Sequence, residues 1–343
     1  MTLRSPGPRG AHISGVMCVV MLLFSGCGTY TPTSAGKGPS GSNTPSGTNI
    51  STGARMGLIW NPGDSTLRAL VGVPGSAQLG PALFPANAYV AAAFAPLTQT
   101  ALLIDPKGNL QIMTEPALLP STVAQNISPK SVIAFAPRGG YAAVFAPGST
   151  SVLIMSGLPQ APALSTVSAA GAVQGAAVSD AGTLMLATRG SSAVTVTSIN
   201  TGGNRSSLVS LGGYGGMTFI AGSEDSLIAD SAANMLVRYH SGVASVLATH
   251  TNGLNQPFAV AASQDGHWAV TADQTDGSIL RIDLTGVTPA VQSTCACSPT
   301  QLSELNGNAV FELAAPAATP GWMIEADGAT SRVLFIPPVR GGQ

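Results

Sequence analysis

The chain has 343 residues, enough for one large repeat domain or two ordinary ones. Only 8% of them are charged, against about 25% in a typical globular domain. The net charge is −1, and the three lysines, Lys37, Lys107 and Lys130, stand far apart. No basic stripe is available to neutralise phosphates, so nucleic acid is set aside as a partner. Gly (41) and Pro (25) together disfavour long helices, and 45% hydrophobic residues without helices points to many short strands.

The N-terminus reads as an export signal. Arg4 and Arg9 form a positive region without acids, and Val16 to Phe24 is an unbroken apolar run. That run is shorter than the roughly 20 residues a membrane-spanning helix needs, and it suits a signal-peptide core. Leu23-Phe24-Ser25-Gly26-Cys27 then resembles the lipobox of bacterial lipoproteins, with Phe24 where Leu is usual. The resemblance implies that residues 1–26 are removed and that Cys27 becomes a lipidated N-terminus. It also implies an exported, membrane-anchored protein. Gly28 in place of Asp favours the outer membrane or periplasmic face.

Residues 27–54 read as the lipidated Cys and a disordered tether. Gly28 to Ala54 is almost entirely Gly, Ser, Thr and Pro, with Tyr30 and Ile50 as exceptions. Such a stretch buries too little apolar surface to offset its ordering entropy. As a flexible coil it would reach roughly 30 Å.

Residues 55–343 repeat. The clearest unit has strands at Phe258–Ala262, His267–Asp273 and Ser278–Asp283, joined by Asp-Gly turns. The same order recurs from Val90, Val132, Gln174, Met217 and Val310. Turn landmarks at Pro96, Pro137, Ser179, Ser223, Ser263 and Pro316 are 41, 42, 44, 40 and 53 residues apart. A period of about 40–45 residues is that of a four-stranded propeller blade. The last spacing is read as holding an insertion around Cys295 and Cys297.

Asn255-Gln-Pro-Phe-Ala-Val-Ala-Ala-Ser-Gln-Asp-Gly-His-Trp-Ala-Val-Thr-Ala-Asp273 resembles the NHL and YVTN type of propeller repeat. The resemblance implies an all-β fold: a single β-propeller of six or seven four-stranded blades, seven slightly favoured. The final repeat looks one strand short. Strands around Leu58 and Leu67 are therefore expected to close the ring by pairing with the strand holding Val333 and Leu334.

Chemistry is sparse in this sequence. His240, His250 and His267 lack the spacing of a metal site and read as surface residues. No nucleophile elbow, phosphate loop or zinc-protease motif occurs. No catalytic residue, metal or cofactor is assigned. Asp105, Asp230, Asp273 and Asp327 recur at second-strand ends, where Asp commonly accepts amides of the following turn; the alternative is an acidic rim. Trp268 and Trp322 occupy equivalent positions and read as packing between blades. Cys295 and Cys297 form a disulfide only if the chain bends, since an extended strand would hold their Cα atoms roughly 6.6 Å apart.

The function expected from these features is that of a lipid-anchored, non-enzymatic scaffold, monomeric, binding a protein or glycan. The alternative is an envelope hydrolase or lactonase with its site at the channel mouth.

Overall fold

The computed structural model describes residues 54–338 apart from 274, 287–289, 316–319 and 328–329. The signal segment, Cys27 and the tether up to residue 53 lie outside the described residues. Among the described residues the chain forms seven antiparallel sheets, six of four strands and one of three. Blade I holds β1 (Arg55–Asn61), β2 (Thr66–Val71) and β3 (Gln78–Ala82). Blade II holds β4 (Ala91–Ala95), β5 (Thr100–Ile104), β6 (Leu110–Thr114) and β7 (Ser121–Ala124). Blade III holds β8 (Val132–Phe135), β9 (Tyr141–Phe145), β10 (Ser151–Ser156) and β11 (Ala163–Ser168). Blade IV holds β12 (Ala172–Val178), β13 (Leu184–Arg189), β14 (Val194–Ile199) and β15 (Arg205–Leu211). Blade V holds β16 (Tyr214–Phe219), β17 (Ser226–Asp230), β18 (Met235–His240) and β19 (Val243–Thr249). Blade VI holds β20 (Pro257–Ala262), β21 (Trp268–Asp273), β22 (Ser278–Asp283) and β23 (Val291–Thr294). Blade VII holds β24 (Ser303–Glu304), β25 (Val310–Ala314), β26 (Gly321–Glu325) and β27 (Arg332–Ile336).

Burial is graded across each blade, and composition follows it. Second strands such as β5 and β17 are buried at every position, which is why they read as continuous apolar runs. Fourth strands such as β11 and β19 are largely exposed and carry Ser and Thr. Seven apolar clusters form, each shared by two adjacent blades. The cluster between blades VII and I joins Met56, Ile59, Leu70 and Ala77 to Leu305, Val310, Met323 and Ile336, so the ring is closed.

Closure differs from the expectation in its chemistry. Leu58 pairs with Ala69 and Leu67 with Trp60, while Val333 pairs with Ile324 and Leu334 with Met323. The N-terminal strands therefore form a separate blade and close the ring by side-chain packing. Asn306 adds two hydrogen bonds across the seam, from its amide to the Met56 carbonyl (2.6 Å) and from its side chain to the Arg55 carbonyl (2.9 Å).

The register of the last blade also needs correction. Val310–Ala314 is its second strand, not its first, because the two-residue β24 precedes it. The hydrogen bonds closing the first turn of blades III to VII start at Ala136, Ser179, Ile220, Ser263 and Leu305. Those positions are 43, 41, 43 and 42 residues apart. Blade VII thus keeps the common period, and the spacing of 53 came from a landmark set on the wrong turn.

First strands approach one another closely around the axis, and glycine permits it. Gly216 on β16 has φ +105°, and a Cβ there would lie 3.0 Å from Ala259 Cα on β20. Gly216→Ala combines backbone strain with overpacking and is expected to cost about 2–4 kcal/mol. A urea unfolding midpoint equal to that of the parent would show that blades V and VI have slack the packing does not suggest.

Candidate functional site

The first strands of six blades enclose a central channel cavity of about 330 Å³. Its wall is built mainly from Ala92, Ala93, Phe94, Ile133, Ala134, Phe135, Ala176, Ala177, Val260 and Ala261. Small side chains prevail because the first strands of these blades converge here. Among the described residues, Glu304 is the one charged residue in this lining. Burial raises its pKa, a hydrogen bond with Gln264 lowers it, and the charge of Asp180 raises it again; the carboxyl is pushed up to about 8.

A smaller recess of about 60 Å³ adjoins the channel through Ala92, Ala93, Phe94, Ser303 and Glu304. Leu58, Trp60, Leu67, Gln301 and Glu312 complete its wall. Glu312 is 2% exposed, and its Oε1 is buried without a hydrogen-bond partner. Burial pushes its carboxyl up to about 8, against a smaller opposing effect of a Gln301 hydrogen bond. Register explains why these two acids do not form a dyad. Glu304 opposes Phe311 and Ser303 opposes Glu312, so Glu304 and Glu312 occupy opposite faces of blade VII.

Around the ends of the first strands, side chains link neighbouring turns. The Asp180 carboxylate accepts the amides of Arg138 (2.7 Å) and Gly222 (2.8 Å), bridging blades III, IV and V. Asp265 and Asn308 exchange two hydrogen bonds between blades VI and VII, of 2.9 and 2.7 Å. Asp225 accepts from Arg238 at 2.6 Å and lies 2.8 Å from His240 Nδ1. Burial works against its ionisation, but these two partners outweigh it and hold the carboxyl below its ordinary range.

The residues singled out from sequence are dispersed. Asp105 accepts the amides of Lys107 and Asn109. Asp230 accepts those of Gly212, Gly213, Ala232 and Ala233. Asp273 accepts that of Asn255, and burial pushes its carboxyl up to about 6. Asp327 is exposed and follows the third strand of blade VII rather than a second strand. His240 and His250 sit at opposite ends of β19, and His267 pairs locally with Asp265 at 3.2 Å. Among the described residues no three His, Cys, Asp or Glu side chains gather as a metal would require. Trp268 and Trp322 pack on the same core between blades VI and VII, where Arg281 stacks 4.3 Å from the Trp268 ring centre. Cys295 and Cys297 are joined as a disulfide with Cα atoms 5.0 Å apart, so the chain bends there.

No known protein family matches the sequence, and no curated protein matches it. Solved structures do. A functionally unknown protein from Desulfotomaculum acetoxidans is 13% identical, with a TM-score of 0.57, over 83% of this chain and 100% of that one. A protein from Lactobacillus plantarum is 12% identical, with a TM-score of 0.57, over 82% and 96%. A streptogramin B lyase is 10% identical, with a TM-score of 0.55, over 83% and 89%. The chain is a seven-bladed β-propeller. At such identities the likeness is one of fold alone.

Within the propeller, sequence reasoning passed over Glu304, Glu312, Asp180 and Asp225. A signal was present for the first two: acids are scarce here, and both stand within or beside apolar runs near Leu302–Leu305 and Phe311–Leu313. An acid in such a run is buried with a partner or reserved for a ligand.

Proposed function

We propose that this propeller is an exported, lipid-anchored binding module that holds a protein or glycan partner at its channel mouth. The observation that carries the reading is the channel itself. It is a concave cavity walled by small side chains, with more polar than apolar surface facing it and the Glu304 carboxyl in its lining, and concave sites with placed polar groups are where ligands commonly bind. The lipobox at Leu23–Cys27 and the Gly/Ser/Thr/Pro stretch after it support the address. Two acyl chains on Cys27 would anchor stably where one chain does not, and the tether would hold the ring clear of the lipid surface. A second reading, an envelope hydrolase or lactonase, draws on Glu304. An acid with a pKa of about 8 facing the cavity can donate a proton near neutral pH.

Two measurements test the proposal. Mass spectrometry of the membrane fraction should find an acylated peptide beginning at Cys27, and Cys27→Ala should move the protein to the soluble fraction. Equal membrane retention of Cys27→Ala would remove the anchor from the proposal. In the channel, Ala134→Trp should abolish partner cross-linking in intact envelopes and glycan-array binding while leaving the melting temperature nearly unchanged. Undiminished binding by that variant would place the partner elsewhere.

A further inference from the structure

Among the described residues, two acids at 2% exposure or less, Asp273 and Glu312, each leave a carboxylate oxygen unpaired, and Glu312 is the one that borders a recess. Asp230, at 5% exposure, is saturated by four backbone amides, whereas Glu312, at 2%, leaves Oε1 without a partner. A buried polar atom left unpaired is costly and calls for an explanation. Glu312 borders the recess of about 60 Å³ that adjoins the channel, and the unpaired atom is itself buried. That space is several times the roughly 10–15 Å³ that one water molecule needs, so a small polar head group can enter. The polar lining of the recess is dominated by groups that accept. Glu312 and Glu304 bring carboxyls, Ser303 a hydroxyl and Gln301 a side-chain carbonyl. Leu58, Leu67 and Phe94 supply apolar wall against which methylenes pack.

We propose that this recess receives the primary ammonium group of a ligand whose remaining body occupies the central channel. An ammonium carries three donors, which acceptors of this kind can satisfy, and a charge that a buried carboxylate can neutralise. The proposal rests on the channel-binding reading above and names the chemistry of what is bound. The balance of the step is simple. Ligand R–NH₃⁺ enters intact, the Glu312 carboxyl gives its proton to solvent, and an ion pair forms; no covalent bond is made or broken in the ligand. Titratable and charged groups near Glu312 are few. Glu304, on the neighbouring strand and the opposite face of the blade, also borders the recess; Met323 opposes Glu312 from β26, and Leu58, Trp60 and Leu67 of blade I carry no charge.

The test is calorimetric titration of the purified propeller with n-butylamine, with n-butanol and calcium chloride as comparison probes. The expected association constant for n-butylamine rises up to about tenfold per pH unit between pH 6 and pH 8, with up to about one proton released per site. Titrations in two buffers of different ionisation enthalpy read that proton directly. Glu312→Gln should weaken binding at least tenfold and abolish the release. Four outcomes overturn the proposal: no n-butylamine binding at millimolar concentration at pH 8, equal binding of n-butanol, undiminished binding by Glu312→Gln, or calcium binding that alone depends on Glu312. Should any of these occur while Ala134→Trp still abolishes partner binding, the channel remains the binding site and only the ammonium assignment is lost.

Discussion

Glu312→Gln is expected to stabilise the propeller at alkaline pH and to leave it nearly unchanged at pH 5. In the unfolded chain a Glu titrates near about 4.3, and in the propeller burial pushes Glu312 up to about 8. Between those values the folded state binds one more proton than the unfolded state. Stability therefore falls as pH rises through that window, and it levels off once the native carboxyl also ionises. At the steepest the loss is roughly 1.4 kcal/mol per pH unit, summing to a few kcal/mol. Gln keeps the shape and the Gln301 contact without titrating. Chemical denaturation at pH 5 and pH 9 should show the two proteins converging at the acid end and the variant ahead by several kcal/mol at the other. Parallel profiles would mean that Glu312 is hydrated or already paired with a cation. Glu304 contributes in the same direction but opens on the channel, where water moderates the effect.

This seam is also where sequence and structure part. Blades II to VI were legible because their second strands are largely apolar runs bounded by turns: Thr100–Ile104, Tyr141–Phe145, Leu184–Arg189, Ser226–Asp230 and Trp268–Asp273. Burial on both faces writes itself into composition. The innermost strand of blade VII is only Ser303–Glu304, two polar residues with no pattern of period two. Missing it shifted the whole final blade by one strand, made a common period look like an insertion, and created a vacancy for the N-terminal strands to fill. Blade I was legible as strands from Gly57–Trp60 and Leu67–Leu70, but not as an independent sheet. Its third strand, Gln78–Ala82, contains Gly80 and Pro81, which belong on edges rather than in the middle of a sheet. The site was hidden for a related reason. Like residues recurring along the chain, such as the Asp at second-strand ends, are visible in sequence, whereas Glu304 and Glu312 matter through blade I and blade VI neighbours far away in sequence. Asp180 is legible only once the turns at Arg138 and Gly222, 42 residues to either side, are brought together by the period itself.

Ile336→Ala is expected to unfold the whole ring more easily, not merely to loosen its last strand. Ile336 is fully buried on the outermost strand of blade VII and packs in the cluster with Met56, Ile59 and Leu70 of blade I. Truncating such a side chain costs about 2–5 kcal/mol, which for a domain of this size lowers the melting temperature by on the order of 5–15 °C. The distinctive consequence is where the loss is felt. In an open solenoid a weakened end frays alone, because each repeat contacts only its neighbours. In a closed ring, parting the seam exposes two blade faces at once and leaves an arc that lacks one of seven interfaces. Blade IV lies across the ring from the seam, and its Leu186 and Val196 are buried in interfaces with blades III and V. Native-state hydrogen exchange should show the slowest amides of β13 and β14 losing protection by the same free energy as those of β1 and β26, because all report one global opening. Wild-type protection retained in blade IV while blades I and VII exchange faster would mean that the seam opens on its own. The molecule would then behave as a broken ring, whose first and last blades add little to the stability of the middle five.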